Sequence, residues 1–174
     1  MSDTTLLVLR CAPIYKPYIA EDVTSDAGFI VDTVVTHTQV RGAKPIVLQS
    51  AAKSMLVSIS IGHNVLVVGT VPVNATKFEA PFSLTKLTPR KEPYNVSCSA
   101  TYGNQKYTTT TSLSYLPNPL FGSITKLDSR TGGLWTKPFN VVDYTPVLPL
   151  GFFTSYDDYL SGNLSILDDL KARG

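Results

Sequence analysis

Tyr94-Asn95-Val96-Ser97-Cys98-Ser99-Ala100-Thr101-Tyr102 runs into Gly103-Asn104-Gln105, and the chain returns as the Thr-rich stretch Lys106 to Leu116. Tyr94, Val96, Cys98 and Ala100 alternate with small polar residues, so an extended chain puts them on one face. The Gly-Asn-Gln turn then predicts a hairpin. Just upstream, Thr88-Pro89-Arg90-Lys91-Glu92-Pro93 is a proline-marked corner, preceded by a short strand at Phe82-Ser83-Leu84-Thr85-Lys86-Leu87.

Working outward, Met55-Leu56-Val57-Ser58-Ile59-Ser60-Ile61 alternates cleanly, with Met55, Val57, Ile59 and Ile61 on one face. After the turn Gly62-His63-Asn64, residues Val65 to Pro72 return as a second, buried strand. Gly28 to Thr38 and Lys44 to Gln49 supply two more. The reading gives about seven strands with turn signals every 8–12 residues or so, the signature of an immunoglobulin- or fibronectin-type β-sandwich. Tyr94 precedes Cys98 by four residues rather than the two of a tyrosine corner. The match is therefore to the architecture and not to antibody domains.

This expectation divides the chain into an irregular segment 1–22, a sandwich 23–116 and a C-terminal unit 117–174. Pro117-Asn118-Pro119 marks the second boundary. Beyond it, Gly122 to Leu127 and Gly133 to Thr136 flank Asp128-Ser129-Arg130-Thr131-Gly132 as a hairpin, and Val147 to Phe153 is another apolar run. Leu160, Leu164, Leu167 and Leu170 recur at helical spacing, predicting one short α-helix over 158–173 with Gly174 as its cap.

Charged residues make up 16% of the chain, against about 25% in ordinary soluble domains. Thr, Ser, Asn and Tyr must therefore supply much of the surface. The net charge is +2, too balanced for a nucleic-acid partner. No apolar stretch is long enough for a membrane span. Leu6 to Leu9 is far shorter than a signal-peptide core, so an extracellular reading places the signal outside this chain. Cys11 and Cys98 either form one disulfide or are two buried thiols; spacing does not choose. Asn74, Asn95 and Asn163 each begin an Asn-x-Ser/Thr acceptor site for glycosylation, a feature of extracellular chains.

Little in the sequence points to catalysis. Neighbouring residues in a helix point in different directions, so neither Asp157-Asp158 nor Asp168-Asp169 makes an acid/base couple. The first reads as a helix cap and the second as a solvated face. His37 and His63 are the only histidines, in a strand and a turn. There is no Gly-x-Ser-x-Gly elbow, no phosphate loop and no metal-ligand spacing. The chain is expected to be non-enzymatic, with no cofactor and no metal. Binding candidates are Trp135, Tyr102 and Tyr107, since exposed aromatic faces stack on sugars and anchor interfaces. The alternative for Trp135 is packing between the sandwich and the C-terminal helix.

The run Leu150-Gly151-Phe152-Phe153-Thr154-Ser155-Tyr156-Asp157-Asp158-Tyr159-Leu160, with Asn163 to Gly174, resembles the first βα unit of a glycoside-hydrolase-type barrel. Ser114 to Pro119 and Lys126 to Leu134 are similar to the linker and entry hairpin of large secreted fungal proteins that carry a β-sandwich before such a barrel. The resemblance implies a non-catalytic accessory or carbohydrate-associated module, because the paired carboxylates of such enzymes lie on later barrel strands. The other reading is a free-standing fungal interaction protein, lectin-like or immunomodulatory, acting through cell-surface partners. A homodimer through the apolar face of the C-terminal helix is a further expectation.

Overall fold

A computed structural model describes residues 4–25, 27–50, 52–148, 162–163 and 165–172. The strands in chain order are β1 (Leu6–Pro13), β2 (Tyr15–Lys16), β3 (Tyr18–Ile19), β4 (Ala27–Thr36), β5 (Lys44–Pro45), β6 (Ser54–Ile61) and β7 (Asn64–Pro72). They continue with β8 (Phe78–Phe82), β9 (Tyr94–Tyr102), β10 (Gln105–Leu113), β11 (Tyr115–Leu116), β12 (Ile124–Asp128), β13 (Leu134–Lys137) and β14 (Thr145–Val147). One short helix, α1, covers Ile166–Ala172.

The fold is mainly β. One antiparallel sheet has the order β5-β1-β4-β8 and a second the order β10-β9-β6-β7. Their inward faces share one core: Leu7, Phe29 and Val31 from the first sheet meet Met55, Ile59, Val96 and Ala100 from the second. The period-2 patterns in the sequence account for this. β9 buries Val96, Cys98, Ala100 and Tyr102 and leaves Asn95 and Thr101 exposed, while β6 buries Met55, Val57 and Ile59. Cys11 on β1 and Cys98 on β9 are joined as a disulfide across the core, with Cα atoms 6.6 Å apart.

Several segments differ from the sequence reading. Residues 6–13, expected to be irregular, form β1, a central strand paired with β4 from Leu6↔Thr36 to Pro13↔Phe29. Leu6 to Leu9 are buried on both faces, so they read as a run rather than an alternation. The strand expected at 82–87 lies earlier, as β8. Its Pro81 is tolerated because β8 is an edge strand, and residues 84–86 form a 3-10 turn capped by Ser83. The strand expected at 44–49 is reduced to β5, and β7 is an exposed edge strand rather than a buried one.

A third, smaller sheet has the order β14-β13-β12-β2. Its β12–β13 hairpin is the one the sequence predicts, turning through Gly132 at φ 76°, a conformation that favours glycine. The helix is confirmed only over Ile166–Ala172, and its Leu167, Asp168 and Asp169 are exposed. The barrel-like run 150–161, Leu164 and the Gly174 cap lie outside the described residues.

Candidate functional site

The chain leaves β1 at Pro13 and enters the small sheet at once. Tyr15 pairs with Asp128 and Lys16 with Leu127. The Ile14 amide donates to the Gly28 carbonyl at 2.9 Å, and the Ser129 amide donates to the Ile14 carbonyl at 2.8 Å. Ser129 Oγ donates to the Pro13 carbonyl at 2.7 Å. This strap ties the hairpin to the end of the sandwich. Gly28 is needed there, because a Cβ at that position would lie 2.6 Å from Ile14 Cδ1. The Tyr18 hydroxyl accepts from the Gly28 amide and donates to its carbonyl, both at 3.1 Å. Burial outweighs these hydrogen bonds and pushes the Tyr18 phenol up to about 12.

Between the strap, the 3-10 turn at 20–24 and the face of β12–β13 lies a cleft of about 780 Å³. Aromatic side chains on its wall are Tyr15, Trp135 and Tyr144. Charged groups on it are Asp22, Lys126, Arg130 and Glu79. The sequence placed Trp135 on a hairpin, and the structure puts it on β13 opposite Lys126 and beside Pro146. It is partly buried and borders the cleft.

The charges are arranged in a definite order. Lys126 Nζ donates to both Asp22 oxygens, at 2.6 and 2.7 Å, and both residues are buried. Asp22 Oδ2 also accepts from the Ile19 amide at 2.8 Å. Lys126 Nζ lies 4.2 Å from the centre of the Tyr144 ring, a cation–π distance. Desolvation lowers the Lys126 pKa, and the Asp22 hydrogen bond opposes that shift without cancelling it.

Arg130 grips Asp128 through Nε at 3.0 Å and Nη2 at 2.9 Å, and its guanidinium stands 5.0 Å from the Tyr15 ring centre while bonding the Tyr15 hydroxyl. Burial raises the Asp128 carboxyl, but the side-chain and backbone hydrogen bonds from Arg130 prevail and hold it below the usual carboxylate range. At the rim, Lys137 pairs with Glu21. Tyr144 is raised well above an ordinary phenol, first by burial and then by the Asp22 and Glu21 charges. Glu79, on exposed β8, has no hydrogen-bond or ion-pair partner among the described residues. It feels Arg130 only through space.

Tyr102 and Tyr107 do not join this cleft. They are 2% and 4% exposed, so the stacking role expected of them is corrected to a structural one. The Tyr102 hydroxyl donates to the Ala52 carbonyl at 2.8 Å and accepts from the Gln49 amide at 2.9 Å. The Tyr107 hydroxyl lies 2.9 Å from the Pro45 carbonyl. Both fasten the 45–52 loop to the sandwich. The three sequon asparagines are exposed: Asn74 in a left-handed turn at φ 63°, Asn95 on the outer face of β9, and Asn163 before α1. His37 and His63 are exposed and stand apart from the cleft.

The sequence reading missed Asp22, Lys126, Arg130, Tyr144 and Glu79. Asp22 and Lys126 are 104 residues apart, and only the completed fold brings them together.

Among the described residues no group of three or more His, Cys, Asp or Glu is placed to hold a metal ion. None of their helices is long and apolar enough to cross a membrane. No protein-family model matches the chain, and no curated protein or solved structure matches it significantly.

Proposed function

We propose that this chain is a non-catalytic extracellular β-sandwich module, an accessory or carbohydrate-associated part of a fungal glycoside-hydrolase-like protein, and that the Trp135 cleft takes the sugar. The observation that carries the reading is Trp135 itself: a partly exposed indole on a rigid strand, facing a cleft that Tyr15 and Tyr144 also wall. Apolar ring faces with a few fixed polar groups are what a sugar ring needs, since its C–H face stacks while its hydroxyls seek acceptors. Glu79 is such an acceptor.

The non-catalytic part has physical support as well. Glycoside hydrolysis uses two carboxylates with freedom to exchange protons. In this cleft Asp22 is consumed by Lys126, and neighbouring Asp128 by Arg130, leaving Glu79 alone. The immunoglobulin- or fibronectin-type reading is supported by the strand order β1-β4-β8 facing β10-β9-β6-β7, with hairpins β6–β7 and β9–β10. The Cys11–Cys98 bridge and the three exposed sequons favour an oxidising, extracellular setting.

A glycan array tests the reading. The wild-type chain is expected to bind one class of neutral oligosaccharide, and Trp135→Ala to lose it. Hydrolysis of a polysaccharide by the purified chain would remove the non-catalytic claim.

A second reading, an interaction protein acting through cell-surface partners, is favoured by a different feature. Leu120 and Phe121, 89% and 80% exposed, precede β12, while Phe139 and Val142 follow β13. Because Ile124 pairs with Lys137, these side chains gather at one end of the small sheet. Cell binding that is lost in Phe121→Ser but kept in Trp135→Ala would select this reading over the first.

A further inference from the structure

We infer that β7 is a self-association edge, at which two copies of this chain pair antiparallel and join their sheets. β7 is the outer strand of the β10-β9-β6-β7 sheet. One side of its backbone is bonded to β6. Among the described residues, no other backbone hydrogen bond reaches Val65 to Val71. Half of the strand's amides and carbonyls are therefore left to solvent, a template for another strand.

The other edges are guarded. β8 carries Pro81 and Glu79 on its short length, β5 is two residues long, and β10 bears Lys106 and runs beside β1 of the opposite sheet. β7 has none of these devices. No charged residue occurs from Asn64 to Thr76. Val65 and Val68 are 48% and 63% exposed, and Leu56, one strand inward, is 51% exposed. A Cβ at Gly69 would meet nothing within 4 Å, so the strand's flank is open. The register shift opposite Ile59/Ser60 sets Leu66 aside near the hairpin end and leaves Val67 to Pro72 regular.

The occupant is a second β7 because the strand is self-complementary. A two-fold axis through its regular half places Val and Thr against Val and Thr, with no charge meeting its like. A partner of opposite charge would find nothing on this strand to select it.

Sedimentation of the purified full chain over roughly 1–200 µM, the range of a small transient interface, tests the inference. The wild type is expected to pass from monomer to dimer. Val68→Lys should weaken dimerisation by about tenfold or more, since it sets like charges across the axis of an uncharged edge. Near-UV circular dichroism of that variant should match the wild type, because Val68 is exposed. Mixing Val68→Lys with Val68→Glu should restore the dimer as a heterodimer. A wild type that stays monomeric throughout, or a dimer that survives Val68→Lys unchanged, overturns the inference. So does failure of the two charged variants to dimerise with each other. Glycan binding at the Trp135 cleft is separate from this edge, so either idea can fail alone.

Discussion

Phe29 and Lys126 are almost equally hidden from water, at 0% and 5% exposed, yet they belong to regions built on different chemistry. Phe29 lies in the sandwich among Val31, Met55, Ile59 and a disulfide, where the side chains need only fill space. Lys126 lies in the small sheet, where the strap from Pro13 to Asp22 meets the β12–β13 hairpin through backbone bonds, two ion pairs and cation–π contacts. Burying apolar area stabilises without direction. A buried ion pair, by contrast, roughly balances its own desolvation and contributes mainly orientation. The sandwich should therefore hold the molecule together, and the small sheet should hold the cleft in shape.

The largest expected effect breaks the first half of that contrast. Phe29→Ala should cost about 3–5 kcal/mol, because a buried aromatic is removed and the cavity can close only in part. Denaturant melts should show it as a lower midpoint for the whole molecule. Lys126→Ala should cost about 3 kcal/mol by stranding the Asp22 carboxylate, but locally. Hydrogen exchange should quicken over 124–137 while β6 and β9 stay protected. The double variant Asp22→Leu with Lys126→Met should recover most of that stability, which Phe29→Ala cannot do with any partner change. Equal loss of protection in both regions would merge them into one cooperative unit.

Tyr18 sharpens the comparison from the border between the two. The folded chain keeps its phenol protonated up to about 12, while the unfolded chain ionises near 10.0. That stabilisation is fully present below pH 10 and is lost as pH rises from 10 to 12, by about 2–3 kcal/mol. Unfolding midpoints across that window should fall for the wild type and fall less for Tyr18→Phe.

The same division governs what was legible in the sequence. Met55 to Ile61 and Tyr94 to Tyr102 declare their strands because one face is apolar and the other polar. Leu6 to Leu9 conceal theirs, being buried on both faces. Val65 to Pro72 mislead in the opposite sense, since an apolar run does not reveal that nothing covers its edge. Trp135 was readable as a rare aromatic on a predicted hairpin. Its neighbours were not. Asp22 and Lys126 look like ordinary surface charges until the strap brings them within 2.6 Å. Tyr102 and Tyr107 show the limit of residue type as a guide: the same phenol that could stack on a ligand is here spent on loop carbonyls.

Trp135 is the only tryptophan in the chain, so its emission reports on the cleft alone. Trp135→Ala itself should change stability by less than about 1 kcal/mol, the smallest effect expected here, because a cleft wall opens to solvent rather than leaving a cavity. The decisive measurement is a titration of the wild-type chain with the neutral oligosaccharide the array selects, followed by tryptophan fluorescence and, in parallel, by calorimetry. The account predicts a saturable change in Trp135 emission whose midpoint matches the calorimetric one. Calorimetric binding with no change in that emission would place the ligand elsewhere and contradict the cleft as the binding site.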